Sequence, residues 1–425
     1  MQIAELYDLF LAHPVVQTDT RKLKQGDLFF ALKGPNFNAN HFARQALEVG
    51  AAYAVVDEYD GSDDDRIIKV KDVLDCLQQL ARHHRMQFTI PVIAITGSNG
   101  KTTTKELVHE VLLSTYRTYT TEGNLNNHIG IPLTLLKIKP DAEMAIIEMG
   151  ANHLKEIETY CSFTLPTHGI ITNCGKAHLE GFGGVEGVRK GKGELFDHLA
   201  ANNGVAFVMW DYDYLRTMSA GVPVIKTYGT QDAGITGEIK QGNGFVEVAI
   251  TKGANIDTIK TKLVGDYNLP NILAAVAIGK YFKVADEKIK TALENYFPSN
   301  SRSQLIEKDS NKIILDTYNA NPTSMKAAIE NFAKMAGDNK VLLLGAMMEL
   351  GEESIAEHQT IISLIGSYHW KAVVLVGGDF YKLPHPYIHF ENSLQAKEWL
   401  QQQQYTDSQM LIKGSRSMQM EKVLE

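Results

Sequence analysis

The stretch "TIPVIAITGSNGKTTTKELVHEVL", residues 89–112, decides the fold of this chain. It begins with an apolar run rich in β-branched residues, the pattern of a buried strand in a parallel sheet. A glycine-rich turn follows, and a helical pattern begins directly after it. A strand, a tight turn and a helix in this order predict a phosphate-binding loop, because the turn amides and the positive end of the helix point at one anion.

The turn has the chemistry that a nucleoside triphosphate requires. Gly97 and Gly100 allow backbone N–H groups to close around phosphate oxygens without a Cβ in the way. Lys101 supplies a cation for the terminal phosphates, and Thr102 supplies a hydroxyl for magnesium. The strict pattern has glycine where this chain has Ile95, so the loop is a variant, and a purely structural turn is the alternative. We predict that ATP is bound by Gly97, Ser98, Asn99, Gly100, Lys101, Thr102 and Thr103.

Two polar residues after neighbouring predicted strands extend this interpretation. Glu148 ends the run "AIIE", and His178 follows the run "HGIITNCGKA". The carboxyl ends of parallel strands meet at one edge of a sheet, and a phosphate loop of this kind needs an acid there to hold magnesium. We therefore predict that Glu148 and His178 bind magnesium. A solvated glutamate at a strand end and a structural histidine are the alternatives.

The composition indicates a globular protein of several domains. The chain has 425 residues, of which 44% are apolar and 22% charged, and its net charge is −8. A mildly acidic protein is a poor binder of nucleic acid, so we expect no such partner. We find no signal-peptide pattern and no run long and apolar enough for a membrane span, so we expect a cytoplasmic protein. The widely separated Cys76, Cys161 and Cys174 favour a reducing compartment and predict neither disulfides nor a zinc site.

The chain divides into three blocks, at residues 1–87, 88–297 and 298–425. The first mixes short strands and helices, and its His83 and His84 are predicted to be solvated surface residues. The second alternates strands and helices as in a doubly wound sheet, and residues 222–264 are predicted to add hairpins at an antiparallel edge. The third is a further α/β block without a G-x-G-x-x-G pattern, so a nicotinamide-binding role has no support.

Eight stretches follow one another in an order typical of one family. They are "TGSNGKTT", "TEGNLNNHIGIPLTLL", "IIEMGANHLKEI", "ITNCGKAHLEGFG", "GKGELF", "LDTYNANPTSMKAAI", "MMELGEESIAEH" and "LIKGSRSMQMEKV". In these stretches the chain resembles the Mur ligases, the ATP-dependent amide-forming enzymes of peptidoglycan synthesis. The N-terminal "TDTRKLKQGDLFFALKG" is similar to the nucleotide-sugar domain of that family, so the resemblance covers nearly the whole chain. Within the family, "YNANP" and "KGSRSM" are most similar to the member that adds D-alanyl-D-alanine to UDP-N-acetylmuramoyl-tripeptide.

The resemblance implies an α/β protein of three domains, each with one ligand. An α/β domain over 1–87 would bind the UDP-sugar substrate, a central P-loop domain with a mostly parallel sheet over 88–297 would bind ATP, and a Rossmann-like domain over 298–425 would bind the dipeptide. The implied reaction is that of an ADP-forming peptide ligase with two Mg²⁺ ions. The peptide carboxylate takes the γ-phosphate of ATP, and the amine of the dipeptide then attacks the acyl phosphate. For a chain with three such domains we expect a monomer.

The resemblance also assigns roles to residues in the second block. Lys101 and Thr102 would hold the β- and γ-phosphates and magnesium, and Glu148 and His178 would serve the two magnesium sites. A lysine shortly after the histidine is carbamylated in this family and binds the second ion. In "VRKGKGELF" that lysine is Lys192, with Lys190 as the alternative.

The resemblance also implies ligand contacts elsewhere in the chain. For ATP they are Asn268 and Asn271, in "GDYNLPNILAA", together with Arg302 and Asp316. For the substrates they are Asn319, Asn321, Lys413, Ser415 and Arg416 in the third block, and Thr20 and Arg21 in the first, with Asn40 and His41 as further candidates there. Helix caps, turn chemistry and an exposed arginine are the structural alternatives. Arg416 is the predicted clasp for the free carboxylate of the dipeptide.

Three positions depart from the family pattern. Tyr267 stands where a histidine is usual, Ala346 replaces an acid, and His128 stands where an acidic residue is common. Neither Ala346 nor His128 touches the phosphate machinery, so we expect an active enzyme. The alternatives are the Mur ligase that adds the third amino acid, the related folylpolyglutamate synthase, and a P-loop switch module without ligase activity. The first block and "YNANP" argue against the first two.

Overall fold

The computed structural model describes residues 2–61, 64–240, 244–298 and 302–425. Over these ranges three larger sheets follow one another along the chain, each flanked by helices. The α/β class with mostly parallel strands therefore agrees with the sequence prediction. One cluster of buried apolar side chains extends from Leu6 in the first unit to Leu411 in the third. No helix in the described ranges is long and apolar enough to cross a membrane.

The first unit, within residues 2–61 and 64–87, is built on a parallel sheet of four strands in the order β1-β2-β5-β6, with a small hairpin, β3-β4, beside it. Leu28, Phe29 and Phe30 of β2 are all buried, because helices cover both faces of the sheet. The strands are β1 Val16–Gln17, β2 Leu28–Phe30, β3 Lys33–Gly34, β4 Phe37–Asn38, β5 Tyr53–Val56 and β6 Ile67–Lys69. The helices are α1 Ile3–Ala12, α2 Ala43–Val49 and α3 Val73–Arg85.

The end of α3 corrects the prediction for His84, which is buried rather than solvated. Its Nε2 lies 2.8 Å from the carbonyl oxygen of Ile138 in the second unit, and its Nδ1 lies 3.0 Å from the hydroxyl of Tyr7. Burial lowers the pKa of His84, so the ring is neutral and joins the first unit to the second. His83 is half-buried and packs on Tyr7.

The second unit, within residues 88–240 and 244–298, contains nine strands in one sheet. Their order is β15-β14-β13-β12-β11-β10-β7-β9-β8. The strands are β7 Val92–Thr96, β8 Thr118–Thr120, β9 Met144–Glu148, β10 His168–Ile171, β11 Val205–Met209, β12 Val224–Gly229, β13 Ile235–Lys240, β14 Glu247–Lys252 and β15 Thr258–Lys260. The helices are α4 Lys101–Leu113, α5 Gly130–Leu135, α6 Glu156–Thr164, α7 Leu179–Phe182, α8 Val185–Ala201, α9 Asp213–Ser219, α10 Leu269–Tyr281 and α11 Asp286–Asn295.

The predicted hairpin region is antiparallel in β13, β14 and β15. Strand β12 differs from the prediction, because it runs parallel to both of its neighbours and so extends the parallel part of the sheet. Helix α10 is apolar on nearly all sides, since it lies buried between α4 and the sheet.

The third unit, residues 302–425, carries six strands in the order β16-β17-β21-β18-β19-β20. All pairs are parallel except β16 with β17 at one edge. The strands are β16 Gln304–Lys308, β17 Asn311–Asp316, β18 Lys340–Gly345, β19 Ala372–Val376, β20 Ile388–Phe390 and β21 Gln409–Lys413. The helices are α12 Pro322–Lys334, α13 Ser354–Ile365 and α14 Ser393–Gln403.

The carboxyl ends of the two larger sheets open into a shared cleft. In the second unit, β7 lies between β10 and β9, and the chain leaves these strands in opposite directions. Such a switch point in a parallel sheet leaves a crevice beyond the strand ends, where ligands bind. The loops after β17, β18 and β21 of the third unit line cavities together with the loops after β7, β9 and β10. The two sheets thus present their binding edges to each other.

Candidate active site

The loop between β7 and α4 needs glycine at two positions. Gly97 has φ +145°, and a Cβ there would lie 1.9 Å from the hydroxyl oxygen of Thr172 on the neighbouring strand end. Gly100 has φ +80°, and a Cβ there would lie 2.6 Å from Oδ1 of Asn271. Both positions combine left-handed backbone with close packing, so any larger residue would displace the loop. Helix α4 then begins at Lys101 with its first N–H groups turned toward the cleft.

Lys101 folds back over this loop. Its Nζ donates to the carbonyl oxygen of Gly97 at 2.6 Å and lies 3.4 Å from that of Ser98. Burial lowers the pKa of Lys101, and the nearby Glu148 opposes that shift. The side-chain nitrogen of Lys101 is therefore desolvated at the mouth of the loop, where the terminal phosphates of a nucleotide would lie and would favour its charged form.

Glu148 is held at the end of β9 with one oxygen free. Asn126 donates from Nδ2 to Oε1 at 2.8 Å, and the backbone N–H of Glu148 donates to the hydroxyl of Thr121 at 3.0 Å. Lys105, itself buried, donates to the carbonyl oxygen of Thr121 at 2.6 Å and so fixes that residue from α4. Oε2 of Glu148 is buried and has no hydrogen-bond partner among the described residues. A buried carboxylate oxygen without a partner is costly unless it binds a ligand.

Lys192 is buried on α8, and its side-chain nitrogen reaches Ala151, a residue that lines the larger of the two cavities described below. Its Nζ donates to the carbonyl oxygen of Ala151 at 2.9 Å and lies 5.0 Å from the centre of the Phe182 ring. Burial, reinforced by the positive charge of Lys101, lowers the pKa of Lys192 to about 7. Lys190, the alternative carbamylation site, is exposed. The geometry therefore favours Lys192.

His178 meets the third unit across the cleft. Its backbone has φ +53°, an uncommon conformation for a residue with a side chain. Its Nδ1 lies 2.5 Å from Oε2 of Glu349, which also has a positive φ of +62°. Nδ1 of His178 has no hydrogen-bond partner of acceptable geometry among the described residues, so we describe this as a close contact between the ring and the carboxylate. His178 lowers the pKa of the Glu349 carboxyl.

The predicted ATP and substrate residues of the third unit form a connected group. Asp316 at the end of β17 pairs with Lys413 at the end of β21, 2.6 Å apart. Lys413 also donates to the carbonyl oxygen of Asn319 at 3.1 Å. Arg302 stacks on the Tyr318 ring at 3.5 Å, and its buried Nε has no partner in the described ranges. This arginine therefore has hydrogen-bonding capacity left for a ligand.

Asn321 joins the third unit to the phosphate loop. It caps α12 by accepting from the N–H of Ser324 at 2.9 Å, and its Nδ2 donates to Oδ1 of Asn99 at 2.8 Å. Ser415 donates to the carbonyl oxygen of Ala320 at 3.2 Å. Arg416 is exposed and contacts Glu421 at 2.9 Å.

Asn268 and Asn271 are occupied by contacts within the protein. Asn271 donates from Nδ2 to Oδ1 of Asn268 at 2.9 Å and accepts from the hydroxyl of Thr104 at 3.0 Å. Both line the larger cavity but also tie α10 to α4. The hydroxyl of Tyr267, the residue that replaces the usual histidine, forms a hydrogen bond of 2.8 Å with the hydroxyl of Ser303. Burial raises the pKa of Tyr267.

The candidates of the first unit lie apart from this group. Thr20 and Arg21 occupy an exposed 3-10 turn, where Arg21 pairs with Asp19 at 2.8 Å. Asn40 is buried and donates to Oδ1 of Asp57 at 2.9 Å, which is a structural role, whereas His41 is exposed. None of these four is among the described residues that line the two cavities below.

Residues of the described ranges line two cavities in the cleft. The larger, of about 1030 Å³, lies between the phosphate loop and the start of α10 and includes Glu148, Tyr212 and Asp316 in its wall. The smaller, of about 750 Å³, lies between the phosphate loop and the third unit. Its wall is formed by both units, through Thr102, Gly123, Asn124, His178, Arg302, Tyr318, Asn319, Met348, Glu349, Ser415, Arg416 and Ser417.

Comparison with known proteins decides the family. Residues 95–279 match the family model of the Mur ligase middle domain, and residues 301–416 match that of the Mur ligase glutamate ligase domain. The chain belongs to the Mur ligase family. It is 35% identical to the UDP-N-acetylmuramoyl-tripeptide–D-alanyl-D-alanine ligase of Bacillus subtilis, over 100% of this chain and 96% of that protein.

Solved structures agree with this family. MurF from Acinetobacter baumannii is 32% identical, with a TM-score of 0.88 over 96% of this chain and 92% of that one. The MurF ligase of Thermotoga maritima, solved in complex with ADP, is 26% identical, with a TM-score of 0.89 over 98% and 97% of the two chains. The predicted family and its three-domain α/β architecture are therefore confirmed.

Two of the positions at which this Mur ligase departs from its family pattern, Ala346 and His128, make defined contacts in the structure. Ala346 is fully buried, and a Cβ added to Gly378 would lie 2.3 Å from the Ala346 Cβ, so the two residues pack directly. His128 is exposed, and its carbonyl oxygen accepts from Nε2 of Gln78 in the first unit at 3.0 Å. Neither position alters the contacts of Glu148 or Lys192.

The residues on the phosphate side of the cleft fit a hard cation such as Mg²⁺. Among the described residues, Glu148 offers a buried oxygen without a partner, and Thr102, which carries a hydroxyl group, lines the cleft. Within the described ranges no group of three or more His, Cys, Asp or Glu side chains is arranged to hold a metal. That is compatible with Mg²⁺, which commonly binds one or two carboxylates and completes its shell with water and substrate phosphates.

Sequence reasoning missed several residues of this site. Glu349 was visible in "MMELG" but received no role, although a polar residue just after a parallel strand signals a site. Asn126 was visible in the asparagine-rich "GNLNN". Lys105 had no signal, because a lysine on a polar helix is ordinarily solvated.

Proposed function

We propose that this Mur ligase joins D-alanyl-D-alanine to UDP-N-acetylmuramoyl-tripeptide in peptidoglycan precursor synthesis. The chain is an ATP-dependent ligase that forms ADP and phosphate. The observation that carries the proposal is the smaller cavity, in which Thr102 of the phosphate loop faces Ser415 and Arg416 of the third unit. A phosphorylated carboxylate and an amine-bearing dipeptide can meet only in a space that both units line.

The reaction activates a poor acyl donor. A terminal peptide carboxylate oxygen attacks the γ-phosphorus of ATP, ADP leaves, and an acyl phosphate forms. The amine of the dipeptide attacks the carbonyl carbon, loses a proton, and phosphate leaves as the amide bond forms. Lys101 lies where it would compensate the charge of the transferring phosphate, and a desolvated cation is effective in that role.

The proposed magnesium-binding residues are Thr102, Glu148, His178 and carbamylated Lys192. Magnesium would neutralise charge on the phosphates. Support for the set comes from the unpartnered oxygen of Glu148 and from the low pKa of Lys192. Only an uncharged lysine amine adds to CO₂, so a pKa of about 7 makes carbamylation accessible near neutral pH. The product is an anion, which the positive charge of Lys101 would stabilise.

We further propose that each unit binds one ligand. Residues 1–87 would bind the UDP-sugar part through Thr20 and Arg21, residues 88–297 would bind ATP, and residues 298–425 would bind the dipeptide, whose free carboxylate Arg416 would clasp. The exposed guanidinium of Arg416 in the cavity wall supports that last role. We place the reaction in the cytoplasm, where ATP is supplied, and expect a monomer to carry it out.

The test is a substrate-omission assay. ADP release is measured with ATP, Mg²⁺, UDP-N-acetylmuramoyl-tripeptide and D-alanyl-D-alanine, and the product is identified by mass spectrometry. We expect continuous release only with all components, and a product enlarged by the dipeptide. Release that continues unchanged without the dipeptide indicates a nucleotide switch. If the protein instead joins a single free amino acid to the UDP-linked precursor that carries only two amino acids, it is the Mur ligase that adds the third residue.

A further inference from the structure

The smaller cavity carries opposite charges on its wall. Arg302 and Arg416 contribute guanidinium groups, and Glu349 is the one carboxylate among the described residues that line it. Arg416 lies beside Ser415 and Ser417, at the third-unit end. Glu349, on the neighbouring loop, reaches toward the second unit, where its carboxylate touches His178, and it forms no ion pair with either arginine among the described residues. An anionic and a cationic group therefore stand apart in one space.

The loop that carries Glu349 is held in place by hydrogen bonds to the rest of the third unit. The preceding residues are fixed at two points, since the N–H of Met347 donates to Nε2 of the buried His358 at 3.1 Å and that of Met348 donates to the hydroxyl of Ser415 at 3.0 Å. Glu349 itself has φ +62°, a conformation that costs energy in a residue with a side chain. Its side chain nevertheless remains 52% exposed toward the cleft. Residues held in such conformations cluster at active sites and ligand contacts, and Glu349 lies in the wall of a cavity.

We propose that Glu349 binds the ammonium group of the incoming dipeptide and thereby selects an acceptor with a free amino end. This inference rests on the proposed function. A dipeptide is a zwitterion whose two charges lie about 7 Å apart when extended. With its carboxylate at Arg416, its amino end points toward Glu349, next to His178 and Thr102 at the phosphate loop, which is the end where the acyl phosphate forms.

A second role for the same contact makes a different prediction. A carboxylate on one ring nitrogen of a histidine can orient the other nitrogen. If Glu349 acted only in that way, its removal would impair phosphoryl transfer to the tripeptide even without dipeptide. The Glu349 side chain is 52% exposed, and Nδ1 of His178 has no hydrogen-bond partner among the described residues, which favours a carboxylate that is available to a further ligand.

The experiment compares Glu349→Gln with the parent, using two ligands that differ in one group. D-alanyl-D-alanine carries the amine, and N-propionyl-D-alanine has the same shape without it. The KM for D-alanyl-D-alanine and the inhibition constant of N-propionyl-D-alanine are measured for each protein. Acyl phosphate formation without dipeptide is followed by trapping with hydroxylamine. Glu352→Gln is the matched control, since Glu352 is exposed three residues away and does not line the cavity.

We expect Glu349→Gln to raise the KM for D-alanyl-D-alanine by about 10- to 100-fold, the usual effect of losing a hydrogen bond between charged groups. Hydroxylamine trapping should be unchanged, and Glu352→Gln should resemble the parent. The inhibition constant of N-propionyl-D-alanine should be the same in parent and variant, because this ligand has no amine for Glu349 to bind. The inference is overturned if Glu349→Gln weakens the binding of D-alanyl-D-alanine and of N-propionyl-D-alanine by the same factor. It is also overturned if the variant no longer gives an acyl phosphate that hydroxylamine traps. A parent that makes no amide from the dipeptide overturns the proposed function, and the inference with it.

Discussion

The ammonium nitrogen of Lys413 lies 2.6 Å from Oδ2 of Asp316, joining the ends of two adjacent strands inside the cleft. Lys413 is almost wholly buried, and its remaining contact is the carbonyl oxygen of Asn319. The pair therefore fixes the start of the loop that carries Asn319 and Asn321 against the phosphate loop. Both charged residues were predicted as ligand contacts, and their first effect is to hold that loop.

Replacing Lys413 with Met should destabilise the protein by about 3 kcal/mol, because the Asp316 carboxylate, whose side chain is only 16% exposed, is then left without a counter-charge. The double variant Asp316→Asn/Lys413→Met should recover part of this loss. Urea unfolding of the full chain measures all three, and a coupling energy between the two positions is expected. Strictly additive effects would show that the pair makes no net interaction.

Replacing Lys192 with Ala should abolish ligase activity, because the proposed carbamate is lost. Small carboxylic acids should restore part of the activity by occupying the same space. Intact-protein mass spectrometry under native conditions should detect one added CO₂ in the parent and none in the variant.

The control for this test is Lys190→Ala, two residues away on the same helix. Lys190 is exposed, so its replacement should leave activity unchanged. Full activity of Lys192→Ala, or loss of activity in Lys190→Ala alone, would move the modified lysine away from position 192.

Acid should weaken folding through His168. The ring is buried among Phe207, Tyr281 and Phe282, and this burial lowers its pKa from 6.5 to about 4. The neutral ring is therefore favoured in the folded state. The stability that folding gains from keeping His168 neutral is fully present above pH 6.5 and is lost as the pH falls to about 4. The total loss in the free energy of unfolding is about 3 kcal/mol.

His168→Phe removes the titrating group and keeps the aromatic packing. As the pH falls from 6.5 to 4, the free energy of unfolding of His168→Phe should decrease by about 3 kcal/mol less than that of the parent. Since all carboxylates titrate in both proteins, only the difference between the two curves is informative. Parallel curves would show that His168 is not the responsible group.

Lys176 and Glu357 should stabilise the closed arrangement of the second and third units. Their charged atoms are 2.5 Å apart, and Glu357 is buried. Lys176→Met leaves that carboxylate uncompensated only while the units are in contact, which should favour separation by about 1–3 kcal/mol. In the presence of ATP and UDP-N-acetylmuramoyl-tripeptide, small-angle scattering should give a larger radius of gyration for Lys176→Met than for the parent. The KM of the variant for ATP should also be higher.

Lys155→Met is the matched control, because Lys155 is an exposed lysine whose ion pair with Glu158 lies within the second unit. It should leave both scattering and kinetics unchanged. Unchanged values for Lys176→Met as well would exclude the ion pair as a closing contact.

The sequence was sufficient for the phosphate loop and the overall class, because those signals are local. Gly97 and Gly100 stand in a strand-turn-helix pattern, and the apolar runs of β7, β9 and β10 predict buried parallel strands without reference to the rest of the chain. Lys192 was chosen over Lys190 by resemblance alone, and burial of the first and exposure of the second now support that choice.

Contacts between distant segments were beyond the reach of local patterns. His84 appeared solvated because its partner, the carbonyl oxygen of Ile138, lies 54 residues away. Glu349 meets His178 only because two sheets face each other, which no periodicity shows. Asn268 and Asn271 resembled ligand contacts, yet their amides are shared with α4.

The central claim is that the γ-phosphate activates a peptide carboxylate before the amide forms. It is tested most directly with UDP-N-acetylmuramoyl-tripeptide labelled with ¹⁸O in its terminal carboxylate, followed by mass analysis of the released phosphate. The account predicts one ¹⁸O atom in each phosphate released, because the carboxylate oxygen that attacks phosphorus leaves with it. Phosphate without label, formed while ADP is released, would show that ATP is hydrolysed by water and would contradict the account.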